Sequence, residues 1–380
     1  MLPLLYQKHL ESQLKDTELL FFHLMINVVQ DIKEVSLEKI ANALPLPILF
    51  ESRRKKVQRF LSLPTLQIQK IWFPIIENWL GQNFTARETL YLVIDRTKWE
   101  RKNLIMVSLI YDQRAIPIYF EFLPKLGNSD FAEQSRIFSQ VIPLFKEYKT
   151  IVLGDREFCS VKLANWLREQ KVQFCLRLKK SEFIQTEGEI WQSLDSLGLK
   201  PGISWFRPHV NVTKTKKLKG FNVAGKWKRS LKGCSPKEGW FILTNLTDLP
   251  SAINAYKKRF DIEEMFRDFK SGGYKLEDTG VSGNRLTSLI IIISYAYSLT
   301  TFQGQKIKRI GVQKYICRVK EYGRLTRRHS SFYVGLYSQT WINFLDSCWG
   351  IVQDLMKLNR NKLEYYLQGI RAMKLIVSTF

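Results

Sequence analysis

The sequence predicts a mixed α/β protein in which one sheet is flanked by helical regions at both ends of the chain. Three apolar runs, LYLVID, LIMVSLIYD and IPIYFEFLP, follow one another with only turn residues between them. Connections of that length leave no room for a crossover helix, so these runs predict three antiparallel strands. Two further runs, KTIVLGD and VQFCLRLKK, each follow a segment with helical spacing. The resulting order, β-β-β-α-β-α-β, is typical of a compact mixed sheet.

The amino-terminal region, up to about residue 85, predicts helices. SLEKIANALP begins with a capping serine and ends before a proline, and FESRRKKVQRFLSLP follows with five basic residues between Arg53 and Arg59. Two short helices with a basic second member are compatible with a helix-turn-helix DNA reader. They are equally compatible with a small helical bundle that has a solvated basic face, and the sequence leaves both interpretations open.

The segment from 181 to 239 interrupts the sheet pattern. Between Arg207 and Lys237 it has ten Lys or Arg and no acid, with glycines and Trp227 among them. This composition predicts an inserted β-leaning subdomain. WFILTNL then returns to a strand pattern, a helix follows over 254–272, and the last hundred residues have mostly helical spacing.

The charge and the cysteines limit the possible partners and the compartment. The 380-residue chain has 59 Lys and Arg against 35 acidic residues, a net charge of +24. Such an excess indicates a polyanion, usually nucleic acid, with a membrane surface as the alternative. The cysteines are five in number and scattered, with no CxxC spacing, and no amino-terminal signal is visible. We therefore expect free thiols and a cytoplasmic location.

The most apolar segment, LTSLIIIISYAYSLTTF, is interrupted by Ser and Thr. It predicts a buried helix in preference to a membrane span. No histidine or cysteine pair has a metal-ligand spacing, so we expect any metal ion to be bound by oxygen.

Three acids stand at places where a sheet presents ligands. Asp95 closes the first predicted strand, Asp155 closes the fourth, and Glu263 lies on the helix after the insertion. If the first and fourth strands are neighbours, two carboxylates meet at one rim of the sheet, and a crossing helix can add the third. Clustered carboxylates repel one another unless a cation lies between them, and Mg²⁺ prefers such hard oxygen ligands. Two such ions can support phosphodiester chemistry.

The helix that contains Glu263 has a patterned face. Tyr256, Arg259, Glu263 and Lys270 are separated by three, four and seven residues, steps that return to nearly the same side of an α-helix. Pairs of this kind are usually solvated surface pairs. Here they coincide with two strand-end acids, which favours a site in which the bases hold phosphates beside a metal-binding glutamate.

These residues resemble a known family. YKKRFDIEEMFRDFK matches the Y-(2)-R-(3)-E-(6)-K signature of bacterial cut-and-paste DDE transposases of the insertion-sequence-four family. IDRT resembles the family's D-x-T around its first aspartate, and LGDREF resembles the D-R-G-F around its second, with Glu157 in place of Gly. The resemblance covers roughly residues 90–285, and it assigns Asp95, Asp155 and Glu263 as the catalytic metal ligands.

The resemblance implies a ribonuclease-H-like catalytic domain with a β-rich insertion. It implies Mg²⁺, with Mn²⁺ as a substitute, nicking at the ends of an insertion sequence, a hairpin intermediate and strand transfer into target DNA. It also implies a homodimer on paired double-stranded ends, with no membrane involved. Trp240 occupies the position of a family tryptophan that supports the hairpin, although a tryptophan that begins a strand is more often a core residue. Arg177 resembles a family arginine near the active site that can contact phosphate.

The resemblance predicts the catalytic domain and its insertion, and the two ends of the chain are assigned by their position. The predicted domains are a helical DNA-binding region (1–85), a catalytic domain in two parts (86–180 and 240–285), the basic insertion (181–239), and a helical carboxyl-terminal region available for dimerisation (286–380).

Three other functions remain as alternatives. One is a ribonuclease-H-like nuclease that cuts without joining, which would not be expected to need Tyr256 or the two flanking bases. The second is a degenerate or domesticated transposase that binds DNA without cutting it. The third is an unrelated basic scaffold with chance matches, which four fixed positions and two ordered acids make improbable. The basic insertion and tail are assigned to DNA contact, with solvated charge as the alternative.

Overall fold

A computed structural model describes residues 4–186, 189–213, 218–229, 238–323 and 328–379. The chain forms two compact units. One, Trp79–Phe266, contains the sheet, and the other combines Met1–Asn78 with Arg267–Phe380 and is helical in the residues described. We call them the sheet unit and the helical unit. The functional domain boundaries predicted from the sequence stay a prediction.

The sheet unit contains one ten-stranded mixed sheet in the order β3-β2-β1-β4-β5-β10-β9-β8-β6-β7. β1, β2 and β3 pair antiparallel, whereas β4 and β5 run parallel to β1. The predicted order of elements along the chain, β-β-β-α-β-α-β, and the mixed α/β fold class are confirmed, and the sheet is consistent with a ribonuclease-H-like domain. The strands are β1 (Thr89–Trp99), β2 (Lys102–Tyr111), β3 (Arg114–Phe122), β4 (Lys149–Gly154), β5 (Gln173–Arg177), β6 (Phe183–Gln185), β7 (Gln192–Ser193), β8 (Ser204–Val212), β9 (Leu218–Lys226) and β10 (Trp240–Thr244).

Two tight hairpins set the register of the first three strands. Trp99 pairs with Lys102, and Tyr111 pairs with Arg114, so each connection has only two residues. Asp112 and Gln113 both have positive φ, 48° and 62°, which gives the second loop the twist that hairpin strands need. The residues of β2 from Asn103 to Ile110 are all buried, as is typical of a strand that is covered on both faces.

The insertion extends the sheet. β6 to β9 lie within residues 181–239, and β9 pairs antiparallel with β10, which in turn pairs with β5. Five of the ten basic residues counted in this segment lie outside the described residues, namely Lys214, Lys216, Lys217, Lys232 and Lys237.

The helices surround these strands in sequence. They are α1 (Leu4–Gln13), α2 (Asp16–Ile32), α3 (Leu37–Ala43), α4 (Phe50–Leu61), α5 (Phe73–Asn83), α6 (Phe131–Val141), α7 (Val161–Glu169), α8 (Leu249–Lys257), α9 (Asp261–Phe269), α10 (Gly283–Arg309), α11 (Ser331–Ser347), α12 (Trp349–Leu358) and α13 (Leu363–Val377). In the sheet unit, α6 begins with a capping box between Asp130 and Glu133, and the Ser160 side chain caps α7. Both caps satisfy backbone N–H groups that a helix start leaves unpaired.

The most apolar segment forms the first part of α10. This helix is long and apolar enough to cross a membrane by length and composition, but 83% of its most apolar window is buried inside the protein. The prediction of a buried helix is therefore confirmed. Within the helical unit, α10 crosses α11 in backbone contact, since a Cβ built on Gly304 would lie 1.8 Å from the Ser331 carbonyl oxygen.

The two short helices predicted in the amino-terminal region, of which the second is basic, are α3 and α4, and Ser36 caps the first by accepting a hydrogen bond from the Lys39 N–H at 3.3 Å. Arg54 of α4 pairs with Glu38 of α3 at 2.6 Å, and Arg53 donates to the Leu44 carbonyl at 3.1 Å. Two of the five basic residues thus hold the helix pair together. Whether the remaining face binds DNA stays a prediction.

Candidate active site

Two aspartates stand side by side where β1 and β4 cease to pair. The parallel pairing of β1 with β4 ends with Ile94 opposite Gly154. Asp95 is the next residue of β1, and Asp155 is the first residue after β4. The expectation that Asp95 closes its strand is wrong, because the hairpin with β2 continues the ladder of β1 as far as Trp99. What ends at Asp95 is the pairing with β4. A Cβ at Gly154 would lie 2.9 Å from the Phe158 Cβ, so the residue before Asp155 has no room for a side chain.

Asp95 lies in a buried site close to two other carboxylates, and both conditions disfavour its ionised form. Its pKa is raised to about 7, first by burial and then by the neighbouring carboxylates of Asp155 and Glu263. The Arg96 backbone N–H, which donates to Asp95 Oδ1 at 2.7 Å, and the Arg259 guanidinium oppose this rise. The other two predicted catalytic acids therefore both lie close enough to act on Asp95.

Arg259 links two of these acids. This residue is buried, and its Nη1 donates to Asp95 Oδ2 at 3.3 Å while its Nη2 donates to Glu263 Oε1. Asp95 and Arg259 are 164 positions apart in the sequence. The guanidinium thus supplies positive charge between two carboxylates that would otherwise repel each other.

The signature segment is not one helix, as its spacing predicted. Tyr256 lies on α8, Arg259 lies in a short 3₁₀ turn over Lys258–Phe260, and Glu263 lies on α9. Lys257 and Asp261, the residues on either side of the turn, keep right-handed helical dihedral angles. Spacing could not separate these cases, because α and 3₁₀ turns differ by less than one residue per turn.

Tyr256 and Trp240 form an aromatic wall beside Arg259. Their ring centroids are 5.2 Å apart, and the Phe260 ring lies 5.8 Å from that of the half-buried Trp240. Tyr256 is fully buried, which raises its pKa to about 12, while nearby Arg259 and Arg177 oppose the rise. Among the described residues its hydroxyl has no hydrogen-bond partner of good geometry. A buried donor beside two guanidinium groups suits an anionic oxygen.

Arg177 ends β5 and pairs with Glu238 at 2.7 Å between Nη2 and Oε1. Burial lowers its pKa, and the guanidinium groups of Arg156 and Arg259 lower it further, whereas Tyr256 raises it. Arg156, the residue after Asp155, contacts the same oxygen of Glu238. Three arginines therefore lie close to one another in the sheet unit.

Lys270 lies in the helical unit, one residue past α9. Its Nζ is 2.7 Å from Glu277 Oε1, so its ammonium is engaged in an ion pair within that unit. The phosphate contact expected of Lys270 stays a prediction.

Sequence reasoning missed two polar residues that link the segments containing Asp95 and Asp155. Arg96 forms an ion pair with Glu157, with 2.8 Å between Nη2 and Oε2. The available signal was the departure at Glu157 from the family's usual glycine, because a charged residue in a tight loop needs a partner.

The donor set suits a hard divalent cation, since Asp95, Asp155 and Glu263 offer only carboxylate oxygens and one of them has a raised pKa. In the part of the chain that the structure describes, however, no group of three Asp, Glu, His or Cys side chains is close enough together to hold a metal ion. In this arrangement the Arg259 guanidinium binds both Asp95 and Glu263.

Comparison with known proteins gives one family. Residues 88–299 match the model of a transposase DDE domain. No match to a curated protein is significant. A solved piggyBac transposase synaptic complex with hairpin DNA is similar at 12% identity, with a TM-score of 0.41 over 98% of this chain and 80% of that one. A Marinitoga piezophila Argonaute in complex with 5′ OH guide RNA is similar at 10% identity, with a TM-score of 0.23 over 58% of this chain and 34% of that one. Scores this low do not establish a shared fold.

Proposed function

Because this chain belongs to the transposase DDE domain family, whose members cleave and transfer DNA strands, we propose that Asp95, Asp155 and Glu263 are its catalytic carboxylates. The observation that carries the proposal is their common electrostatic site. Asp95 and Asp155 follow the last paired residues of β1 and β4, and Asp95 and Glu263 share the Arg259 guanidinium. Within the family, we assign the chain to the insertion-sequence-four group on its Y-(2)-R-(3)-E-(6)-K signature.

The cofactor we propose is Mg²⁺, with Mn²⁺ as a substitute, held by Asp95, Asp155 and Glu263. Divalent ions bound there would activate the attacking water or 3′-hydroxyl and stabilise the leaving oxygen. Arg259 keeps Glu263 close to Asp95 before the cation binds, because it donates to both carboxylates. A cation held by Asp95, Asp155 and Glu263 would leave the Arg259 guanidinium available to a DNA phosphate.

The proposed reaction begins with two displacements at each end of the element. Water first breaks a phosphodiester bond and leaves a 3′-hydroxyl and a 5′-phosphate. That 3′-hydroxyl then attacks the opposite strand, which forms a hairpin and releases the 3′-hydroxyl of the flanking DNA. Hairpin opening and strand transfer into target DNA complete the reaction.

The arginines and the aromatic wall suit the DNA that this reaction bends. Tyr256 has a buried hydroxyl ready to donate to a phosphate oxygen, and Arg177 lies close to it. Trp240 is half-buried in contact with Tyr256 and Phe260, so one part of the ring remains available to stack on a base that leaves the duplex.

We propose that the enzyme acts as a homodimer on paired ends. No residue of α12 is buried, and its neighbours α11 and α13 also expose large apolar side chains. The exposed residues include Phe344, Ile351, Leu355, Leu358, Tyr365 and Leu367. Apolar surface of this kind is typical of an interaction site, and a second copy of the chain is the partner that paired ends require.

The net charge of +24 and the four free cysteines found among the described residues support a cytoplasmic, nucleoid-associated protein that binds double-stranded DNA. The basic insertion and carboxyl-terminal region are the surfaces we assign to the DNA backbone.

The test is cleavage of a supercoiled plasmid that carries the element's own flanking ends, in Mg²⁺ or in EDTA. We expect nicks and hairpins at the ends in Mg²⁺ and none in EDTA. Binding of these ends without cleavage under any divalent ion would support the DNA-binding alternative, and random nicking without end products would support a nuclease.

A matched pair of variants tests the site itself. Glu263→Gln keeps the size of the side chain but removes its charge, so we expect cleavage to fall by about 10³-fold or more while DNA binding persists. Glu264→Gln is the control, because Glu264 is the next residue on α9 and its carboxylate pairs with Arg114 at 3.7 Å. If Glu263→Gln cleaves as fast as Glu264→Gln, the assignment of Glu263 is wrong.

A further inference from the structure

Two residues outside the predicted catalytic set join the strand that contains Asp95 to the loop that contains Asp155. Arg96 follows Asp95 on β1, and Glu157 lies two residues after Asp155 in the loop between β4 and α7. Arg96 Nε lies 2.8 and 2.9 Å from the two carboxylate oxygens of Glu157, and Nη2 lies 2.8 Å from Oε2. Their side chains are only 14% and 12% exposed, so water screens this pair much less than a surface pair.

The remaining polar atoms of the pair are also held. Arg96 Nη1 donates to Asn103 Oδ1 at 2.9 Å, and Nη2 donates to Asn128 Oδ1 at 3.1 Å. Glu157 Oε1 accepts from the Ser129 N–H at 3.0 Å and from its hydroxyl at 3.1 Å. A buried ion pair with its hydrogen bonds satisfied has one well-defined geometry.

The backbones of the same two residues hold the catalytic carboxylates. The Arg96 N–H donates to Asp95 Oδ1 at 2.7 Å, and the Glu157 N–H donates to Asp155 Oδ1 at 2.8 Å. Each residue therefore holds the neighbouring aspartate through its main chain. Its side chain holds the segment that contains the other aspartate. The distance between the two aspartates is linked to the geometry of this ion pair.

We propose that Arg96 and Glu157 are positioning residues that hold Asp95 and Asp155, the two carboxylates that would bind a divalent cation, in a fixed position relative to each other. This inference rests on the proposed function. Neither residue contacts the reacting atoms, and their effect is on metal affinity through the orientation of the two carboxylates. Residues that orient metal ligands typically change metal affinity or activity by about 10- to 100-fold when they are replaced.

The experiment measures Mn²⁺ binding to the full-length protein without DNA, by titration with detection of free Mn²⁺ by electron paramagnetic resonance. We expect Glu157→Gln to weaken Mn²⁺ binding by about 10- to 100-fold. The Mn²⁺ concentration that gives half-maximal cleavage should rise by the same factor, and the rate at saturating Mn²⁺ should largely recover. DNA binding in EDTA should be unchanged.

The matched control is Glu121→Gln, which removes an ion pair of similar length in the same unit, 2.7 Å between Glu121 and Arg136. Among the described residues, neither the Glu121 nor the Arg136 side chain forms a hydrogen bond or ion pair with the segments that contain Asp95 and Asp155, so we expect Glu121→Gln to bind Mn²⁺ with wild-type affinity. Because Glu157→Gln leaves Arg96 without its anion, the double variant Arg96→Gln/Glu157→Gln is included as a neutral pair. If the two residues act as a pair, the double variant binds Mn²⁺ no more weakly than Glu157→Gln alone.

Each outcome decides between the two proposals. Suppose that wild-type protein binds Mn²⁺ and cleaves, and that folded Glu157→Gln and the double variant bind Mn²⁺ as tightly as wild-type protein does. The positioning role is then wrong, and the proposed function stands. If wild-type protein neither binds Mn²⁺ nor cleaves, the proposed function fails and the positioning role fails with it.

Discussion

The crossing of α10 and α11 in the helical unit and the carboxylate edge of the sheet unit are held together by opposite means. At the crossing, a Cβ on Gly304 or Gly335 would lie 1.8 or 1.9 Å from a backbone oxygen of the other helix, so the absence of atoms permits the contact. At the sheet edge, Asp95, Arg259 and Glu263 hold one another by charge. The first contact therefore depends on the absence of side-chain volume, and the second depends on charge. Substitutions should affect stability in one and chemistry in the other.

The largest expected effect on stability is at the crossing. Gly304→Ala places a methyl group against backbone that cannot move aside as a side chain can, so we expect a loss of about 1–3 kcal/mol or more. The measurement is the temperature of the unfolding transition by calorimetry. The matched control is Gly369→Ala in α13, where a new Cβ meets nothing within 4 Å. Helix propensity predicts that it gains up to about 1 kcal/mol. Equal transition temperatures for the two variants would show that the helices do not touch at Gly304.

Trp240 tests whether the aromatic wall serves the chemistry or only the core. Trp240→Ala removes a stacking surface worth about 1–3 kcal/mol per base, so we expect hairpin formation to fall about tenfold while the first nick proceeds at the wild-type rate. Trp240→Phe keeps an aromatic face and should recover most of the hairpin product. The two products are separated on denaturing gels. Equal losses of nicking and hairpin formation in Trp240→Ala would mean that this tryptophan serves only the hydrophobic core.

The smallest effect is expected for Tyr256→Phe, which separates stability from function at a single oxygen. The buried hydroxyl has no partner of good geometry among the described residues, so its removal should leave the free energy of unfolding unchanged or raise it by up to about 1 kcal/mol. Binding of the element's ends should weaken about fivefold, because a hydrogen bond to phosphate is lost. Calorimetry and a binding titration measure the two quantities. A stability loss with unchanged DNA affinity would assign Tyr256 to the core alone.

The signature segment shows where prediction from sequence reached its limit. Its spacing placed Tyr256, Arg259 and Glu263 near one another, and the structure brings these three into one site. The same spacing predicted one helix, whereas the structure has two helices joined by a 3₁₀ turn. Spacing also included Lys270, which the structure places in the other unit in an ion pair with Glu277. Periodicity along the chain gives the side that a residue faces, but not the partner it meets there.

The sequence by itself determined the elements and the chemistry available to them. Apolar runs with short or helix-length connections determined the order of β1 to β5 along the chain and the antiparallel pairing of β1, β2 and β3, because chain geometry limits which strands a short connection can join. The positions of Asp95 and Asp155 after those runs, and the excess of basic residues, were likewise readable from the chain.

Only the tertiary structure decided how these groups meet. The Arg259 bridge between Asp95 and Glu263, the burial that raises the pKa of Asp95, and the pairing of Arg96 with Glu157 across 61 positions all depend on contacts between distant segments. Such contacts are fixed by how side chains fill space and satisfy buried polar groups once the sheet has formed, and no local periodicity encodes them.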